Sequence, residues 1–137
     1  MAVDLEPLER AIARLREGLA RHRAAPEDEQ LRDGLIQRFE FTYELAHRTL
    51  RRHLREAAAT PEEIDRLAFP DLIRLAAAQG LLRSGWPAWR TFREMRNRTS
   101  HAYDEAIARE VAAGIPAFLE EAEALLAALR ERTHGAG

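Results

Sequence analysis

Apolar positions recur along this chain at intervals of three and four almost from end to end, the period of helices that each bury one side. Leu5, Leu8, Ile12, Leu15 and Leu19 draw the first stripe. Asp4 is placed to cap it, and Pro7 falls in the first turn, where no internal hydrogen bond is lost. Ala24-Ala25-Pro26 makes a break. A second stripe runs through Leu31, Leu35, Phe39, Thr42, Tyr43, Ala46, Leu50 and Leu54. Continuous from Glu27 to Ala57, it would form a helix on the order of 45 Å long at about 1.5 Å per residue.

Beyond it the pattern shortens. Thr60-Pro61-Glu62-Glu63 carries the cap, the proline and the glutamate of a helix start. Phe69-Pro70 then interrupts, because proline disfavours helix at the residue before it. A short turn of helix is expected there, followed by a third main helix from about Pro70 to Gln79 that Gly80 ends. Ser84-Gly85-Trp86-Pro87 opens a fourth, with Trp89, Phe92 and Met95 on its apolar side. The last begins after Tyr103 with Asp104 as N-cap, carries Ile107, Val111, Ile115, Phe118, Ala122, Leu125 and Leu129, and is expected to bend at Gly114 and Pro116. Residues 133–137, His134 among them, read as a frayed tail. No stretch alternates as a strand would, and no segment repeats. The expectation is all-α: an up-and-down helical bundle of about five helices, forming a single domain over 1–137.

Composition narrows the chemistry. The chain has 137 residues, 46% of them hydrophobic and 32% charged, the balance of a globular protein. It has no cysteine, which excludes disulfides, thiolate metal sites and a cysteine nucleophile. No apolar run approaches the ~20 residues of a membrane span, and there is no signal-peptide pattern, so the expected location is cytoplasmic and without membrane contact. The net charge of −2 supplies no global basic field. All 21 basic residues are arginine, which removes a catalytic lysine and leaves planar, forked donors suited to phosphate. No glycine-rich phosphate loop, no paired-histidine zinc motif and no serine elbow is present, so neither a metal nor a cofactor is expected.

His101 stands apart from the other histidines because of its neighbours. Arg96-Asn97-Arg98-Thr99-Ser100-His101-Ala102-Tyr103-Asp104-Glu105 gathers polar and reactive side chains at the junction of the fourth and last helices. A histidine can move a proton near neutral pH, and an arginine can stabilise a phosphate as charge builds on it. Together they suit metal-free attack of a ribose 2′-hydroxyl on the neighbouring phosphate. Spacing alone is weak support: with 21 arginines and five histidines, roughly one arginine five places before a histidine is expected by chance. Arg48 and His53 form just such a second match, read here as a decoy. Two readings of the cluster stand open, a reactive site and a hydrogen-bonded knot tying two helices. The arginines of the second and fourth helices likewise read either as a phosphate-attracting surface or as ordinary solvated faces.

Two stretches carry a resemblance. Arg38-Phe39-Glu40-Phe41-Thr42-Tyr43-Glu44-Leu45-Ala46 closely resembles the second-helix signature of the nucleotidyltransferase substrate-binding proteins, a branch of the HEPN superfamily of helical bundles, and Arg96 to Glu105 resembles their second signature. About sixty residues separate the two blocks, and the resemblance covers nearly the whole chain. It implies pairing with a minimal nucleotidyltransferase and a homodimer that brings two copies of the motif into one cleft. In related toxin–antitoxin pairs the HEPN chain is a metal-independent ribonuclease with the motif R-x4-H-x-Y, silenced when the partner adds AMP to the tyrosine. The resemblance implies that Arg96 binds phosphate, His101 is the general acid or base, Asn97 supports them and Tyr103 accepts AMP. The alternative it leaves open is a non-catalytic subunit that presents a nucleotide or other substrate to the transferase. Two departures are visible. His47 stands where the family has tryptophan, and the stretch from Ala57 to Phe69 is longer than typical.

Overall fold

The computed structural model describes residues 3–135 of the chain, and side chains as far as residue 133. Six α-helices follow one another: α1 (Glu6–Ala24), α2 (Glu29–Ala57), α3 (Pro61–Asp65), α4 (Phe69–Ala78), α5 (Trp86–Arg98) and α6 (Glu105–Gly135), with a 3-10 turn (Thr99–His101) between the last two. No strand occurs among the described residues. Five of these helices are the main ones the periodicity predicts, and the short α3 is the expected extra turn. The expected fraying from Thr133 is not what the backbone does, since α6 runs on to Gly135; residues 136 and 137, and the side chain of His134, lie outside the described residues.

The helix ends follow from local chemistry. The Asp28 carboxylate accepts the Leu31 N–H at 3.0 Å and starts α2 at Glu29, two residues after the expected Glu27. Asp104 accepts the N–H groups of Ala106 and Ile107 at 2.9 and 3.2 Å and starts α6 as expected. Asp4 instead accepts the Glu6 N–H, one residue ahead of the helix boundary at Leu5. Gly80 stops α4 in a left-handed conformation, φ +76°, with the Leu81 N–H reaching back to the Ala76 carbonyl at 3.0 Å.

Helix α2, about 43 Å long at 1.5 Å per residue, is the axis on which α1, α3, α4, α5 and α6 all pack. Contacts between Arg38 and the Arg14 carbonyl, and between Thr42 and the Ala11 carbonyl, show α1 running antiparallel to it. Ion pairs Arg16–Glu123 and Arg130–Glu9 set α6 antiparallel to α1 in turn. At the centre Phe39, Trp89, Phe92 and Phe118 meet edge to face, with centroids 5.0 to 6.1 Å apart. All but the ends of the predicted stripes are buried; Leu5, Leu31 and Ile107 are half-buried.

Gly114 does more than loosen α6. A Cβ there would stand 2.6 Å from the Met95 sulfur, so the missing side chain makes room for the end of the Met95 side chain between α5 and α6. Arg51 secures the far end of the bundle by donating to the carbonyls of Ile64 (2.7 Å) and Leu67 (3.2 Å), which close the long α2–α4 connection.

Candidate functional site

Helix α5 delivers Arg96 and Asn97 in its last turn, and the 3-10 turn that follows redirects the chain before α6 begins. Thr99 makes that redirection local: its hydroxyl donates to the Arg96 carbonyl at 2.7 Å and accepts from Arg96 Nη1 at 3.1 Å. His101 ends the turn exposed. Tyr103 is 87% exposed, with its ring centroid 6.2 Å from that of His101. Of the large hydrophobic side chains among the described residues, only Tyr103 and Phe41 are so exposed.

The four residues singled out from sequence fall into two pairs. Arg96 and Asn97 line a cleft of about 400 Å³ between α2 and α5, with Tyr43, Glu44, His47 and Arg48. His101 and Tyr103 lie on the junction itself, and Tyr103 lines a second groove of about 480 Å³ with Glu40, Phe41 and Thr99. Arg96 is the hinge between the two. Its Nη2 donates to Glu44 Oε1 at 2.5 Å on the cleft side, and its Nη1 stands 3.7 Å from Glu40 Oε2 on the groove side. The Arg96 Nε is buried without a partner among the described residues.

Sequence reasoning missed Glu40 and Glu44 as part of this constellation, although both sit in the first signature block. The signal was available: spaced four apart on one helix, two carboxylates share a face and can meet one guanidinium. Tyr43 and His47 were also passed over. Burial, above all, pushes the Tyr43 phenol up to about 12, so it stays protonated. Desolvation, and then the charges of Arg51 and Arg93, push the His47 imidazole below its usual value, so it favours the neutral form. His47 meets the Phe69 ring edge-on at 4.5 Å, so it packs against an aromatic neighbour from the position where the resembled family has tryptophan.

The arginine surface is thinner than the bare count suggests. Arg51 and Arg55 are engaged with the α3 region, Arg90 pairs with Glu94 and Arg98 with Glu110. Arg93 lies over the Phe69 ring, 5.6 Å from its centroid, and Arg48 faces the α2–α5 cleft. Among the described residues no cluster of histidines and carboxylates could hold a metal ion, and no helix is long and apolar enough to cross a membrane.

Residues 3–131 match the model of the nucleotidyltransferase substrate-binding-like proteins. The chain belongs to this family. A probable ribonuclease HepT of Haemophilus influenzae is 41% identical to it over 99 residues, covering 72% of this chain and 67% of that protein. Among solved structures, the substrate-binding domain of a nucleotidyltransferase from Haemophilus influenzae superposes with a TM-score of 0.87 at 33% identity, covering 93% of this chain and 99% of that one. A protein from Thermus thermophilus matches with a TM-score of 0.73 at 32% identity, covering 90% and 98%. The family resemblance and the all-helical fold read from the sequence are both borne out.

Proposed function

We propose that this chain is a metal-independent endoribonuclease whose partner, a minimal nucleotidyltransferase, silences it by attaching AMP to Tyr103. The observation that carries the reading is the pairing of an exposed imidazole with an exposed phenol, His101 and Tyr103, 6.2 Å apart at a helix junction. A packing role would bury such a tyrosine. The kinship to a probable ribonuclease supports it further.

In this reading the ribose 2′-hydroxyl loses its proton to a base as its oxygen bonds to the adjacent phosphorus, the P–O5′ bond breaks, and the 5′-oxygen leaves with a proton from an acid, His101 filling one of these two roles. Arg96 stabilises the charge on the phosphate, and Asn97 adds a polar contact. An AMP on Tyr103 sets a negative phosphate and a base beside His101, opposing RNA by both charge and bulk. One imidazole per chain cannot be both acid and base at once, so the reading includes a homodimer. Its face would include Phe41, an exposed large hydrophobic side chain on α2, beside the groove that Tyr103 also lines.

A second reading has its own observation. Arg96 is already occupied by Glu44 at 2.5 Å and flanked by Glu40, as in a positioning residue of a subunit that binds a nucleotide for its transferase without cutting RNA. Cleavage of a structured RNA in EDTA, beside His101→Ala, separates the two. Loss of cleavage in the variant, with 2′,3′-cyclic phosphate ends in the wild type, supports the ribonuclease. No cleavage by protein whose intact mass shows no AMP favours the binding subunit.

A further inference from the structure

Two charged side chains are deeply buried among the described residues, Glu121 and Arg32. Glu121 has a partner, the Ser84 N–H at 3.4 Å. Arg32, on α2 and 6% exposed, has none within hydrogen-bond distance among those residues. Its nearest carboxylate oxygen, on Glu105, stands 3.8 Å away, and its Nε is buried without a partner. A guanidinium carries five donors and keeps its charge at any ordinary pH, so burial without an acceptor is costly and calls for an anion.

Space for one adjoins it. The Arg32 side chain lines a cavity of about 340 Å³ between the α1–α2 turn and α6, together with His22, Arg23, Glu27 and Arg109. Three arginines line it; Glu105, outside the lining, already pairs with two of them, 3.8 Å from Arg32 and 3.0 Å from Arg109, and the lining itself holds one carboxylate. That carboxylate, Glu27, stands 3.9 Å from Arg109, a distance at which the two attract but do not hydrogen-bond. Leu19 and Ala112 supply apolar wall. Glu27 and Glu105 offset at most two of the three arginine charges, and neither hydrogen-bonds Arg32, whose buried Nε stays open to an anion.

We propose that the cavity binds a phosphate group, free or carried by a mononucleotide, with Arg32 as its buried anchor and Arg109 as the outer clamp. Two guanidinium forks reaching in from α2 and α6 match the several oxygens of a phosphate better than any one carboxylate. Arg109 also hydrogen-bonds Glu105 at 3.0 Å, so a bound phosphate competes with the first residue of α6 for both arginines. The site lies apart from the Arg96 cleft and does not depend on whether RNA is cleaved.

The test is thermal unfolding and titration calorimetry of the full chain with inorganic phosphate and, separately, with AMP, in a buffer free of other oxyanions. A saturable rise in melting temperature with phosphate assigns a free-anion site, and one seen with AMP alone assigns a nucleotide site. In either case Arg109→Ala, at an exposed position that leaves folding intact, should weaken binding about tenfold or more. Arg32→Met, which keeps the stem and removes the charge, should abolish binding without lowering the melting temperature of the free protein. No rise with either probe, or binding to Arg109→Ala as tight as to the wild type, would overturn the assignment.

Discussion

The chain holds the spacing arginine, four residues, histidine twice, and the two instances behave as opposites. Arg48 and His53 lie within the unbroken helix α2, where residues five apart point about 140° away from each other. Arg48 accordingly faces the α2–α5 cleft, while His53 turns inward and is half-buried. Arg96 and His101 span the end of α5 and the 3-10 turn, and here the helical geometry that separates the first pair is interrupted. The helix keeps Arg96 against Glu40 and Glu44, and the turn leaves His101 in solvent beside Tyr103. Identical spacing has therefore made a helix surface in one place and a candidate site in the other. What decides between them is whether a helix ends inside the motif.

The sharpest way to break this comparison is to remove each histidine in turn. On the proposed function, His101→Ala should lower metal-independent RNA cleavage by at least about a hundredfold, the low end of general acid–base contributions. His53→Gln should leave the rate within about twofold, since its ring shares no groove with the motif. Equal losses, measured as initial rates in EDTA, would abolish the distinction. Next in size is Tyr103→Phe. Incubated with the partner transferase and ATP, it should show no added AMP by intact mass and should continue to cleave RNA where the wild type falls silent. Tyr43→Phe should still be modified and silenced, because Tyr43 is buried and keeps its proton.

A smaller effect probes Arg96 itself. Arg96→Lys keeps the charge but cannot serve Glu44, Glu40 and Thr99 from one planar fork. It should reduce cleavage about tenfold or more and stability by roughly 0.5–1 kcal/mol, a partly exposed network being worth little more. Chemical denaturation and initial rates separate the two. Arg48→Lys, outside that network, should change neither stability nor cleavage measurably.

How much of this was legible beforehand depends on whether the cause is local. The stripe from Leu8 to Leu19, the aspartate cap at residue 104, and the stop at Gly80 are properties of a few consecutive residues, and a short stretch of sequence reports them directly. His101 and Tyr103 were legible because they sit in the segment that ends a helix. Glu44 at Arg96 was not, because the contact joins residues 52 apart and depends on how α2 and α5 are packed. Gly114 shows the same limit. Read along the chain it suggests a bend; in the packed bundle it makes room for the Met95 sulfur. Arg32 sits one residue along from the half-buried Leu31, and only the close approach of α6 turns that boundary position into a buried charge.

The smallest expected effect separates the histidines by pH. Desolvation, and secondarily Arg132, lower the His53 pKa from its ordinary 6.5. Desolvation, with Arg51 and Arg93 outweighing Glu44, lowers that of His47. A depressed value means that the unfolded chain takes up these protons first. Stability is therefore complete above 6.5 and is lost as pH falls through 6.5 towards and past the folded values. The melting temperature should decline between about pH 7 and pH 5, before most carboxylates titrate. His53→Gln and His47→Gln should each flatten that decline, and the double variant should flatten it further, because the two rings sit in different surroundings and add independently. A slope that neither His47→Gln nor His53→Gln flattened would mean that burial does not disfavour their charged forms, and the contrast between the half-buried histidine of one motif and the exposed one of the other would fail.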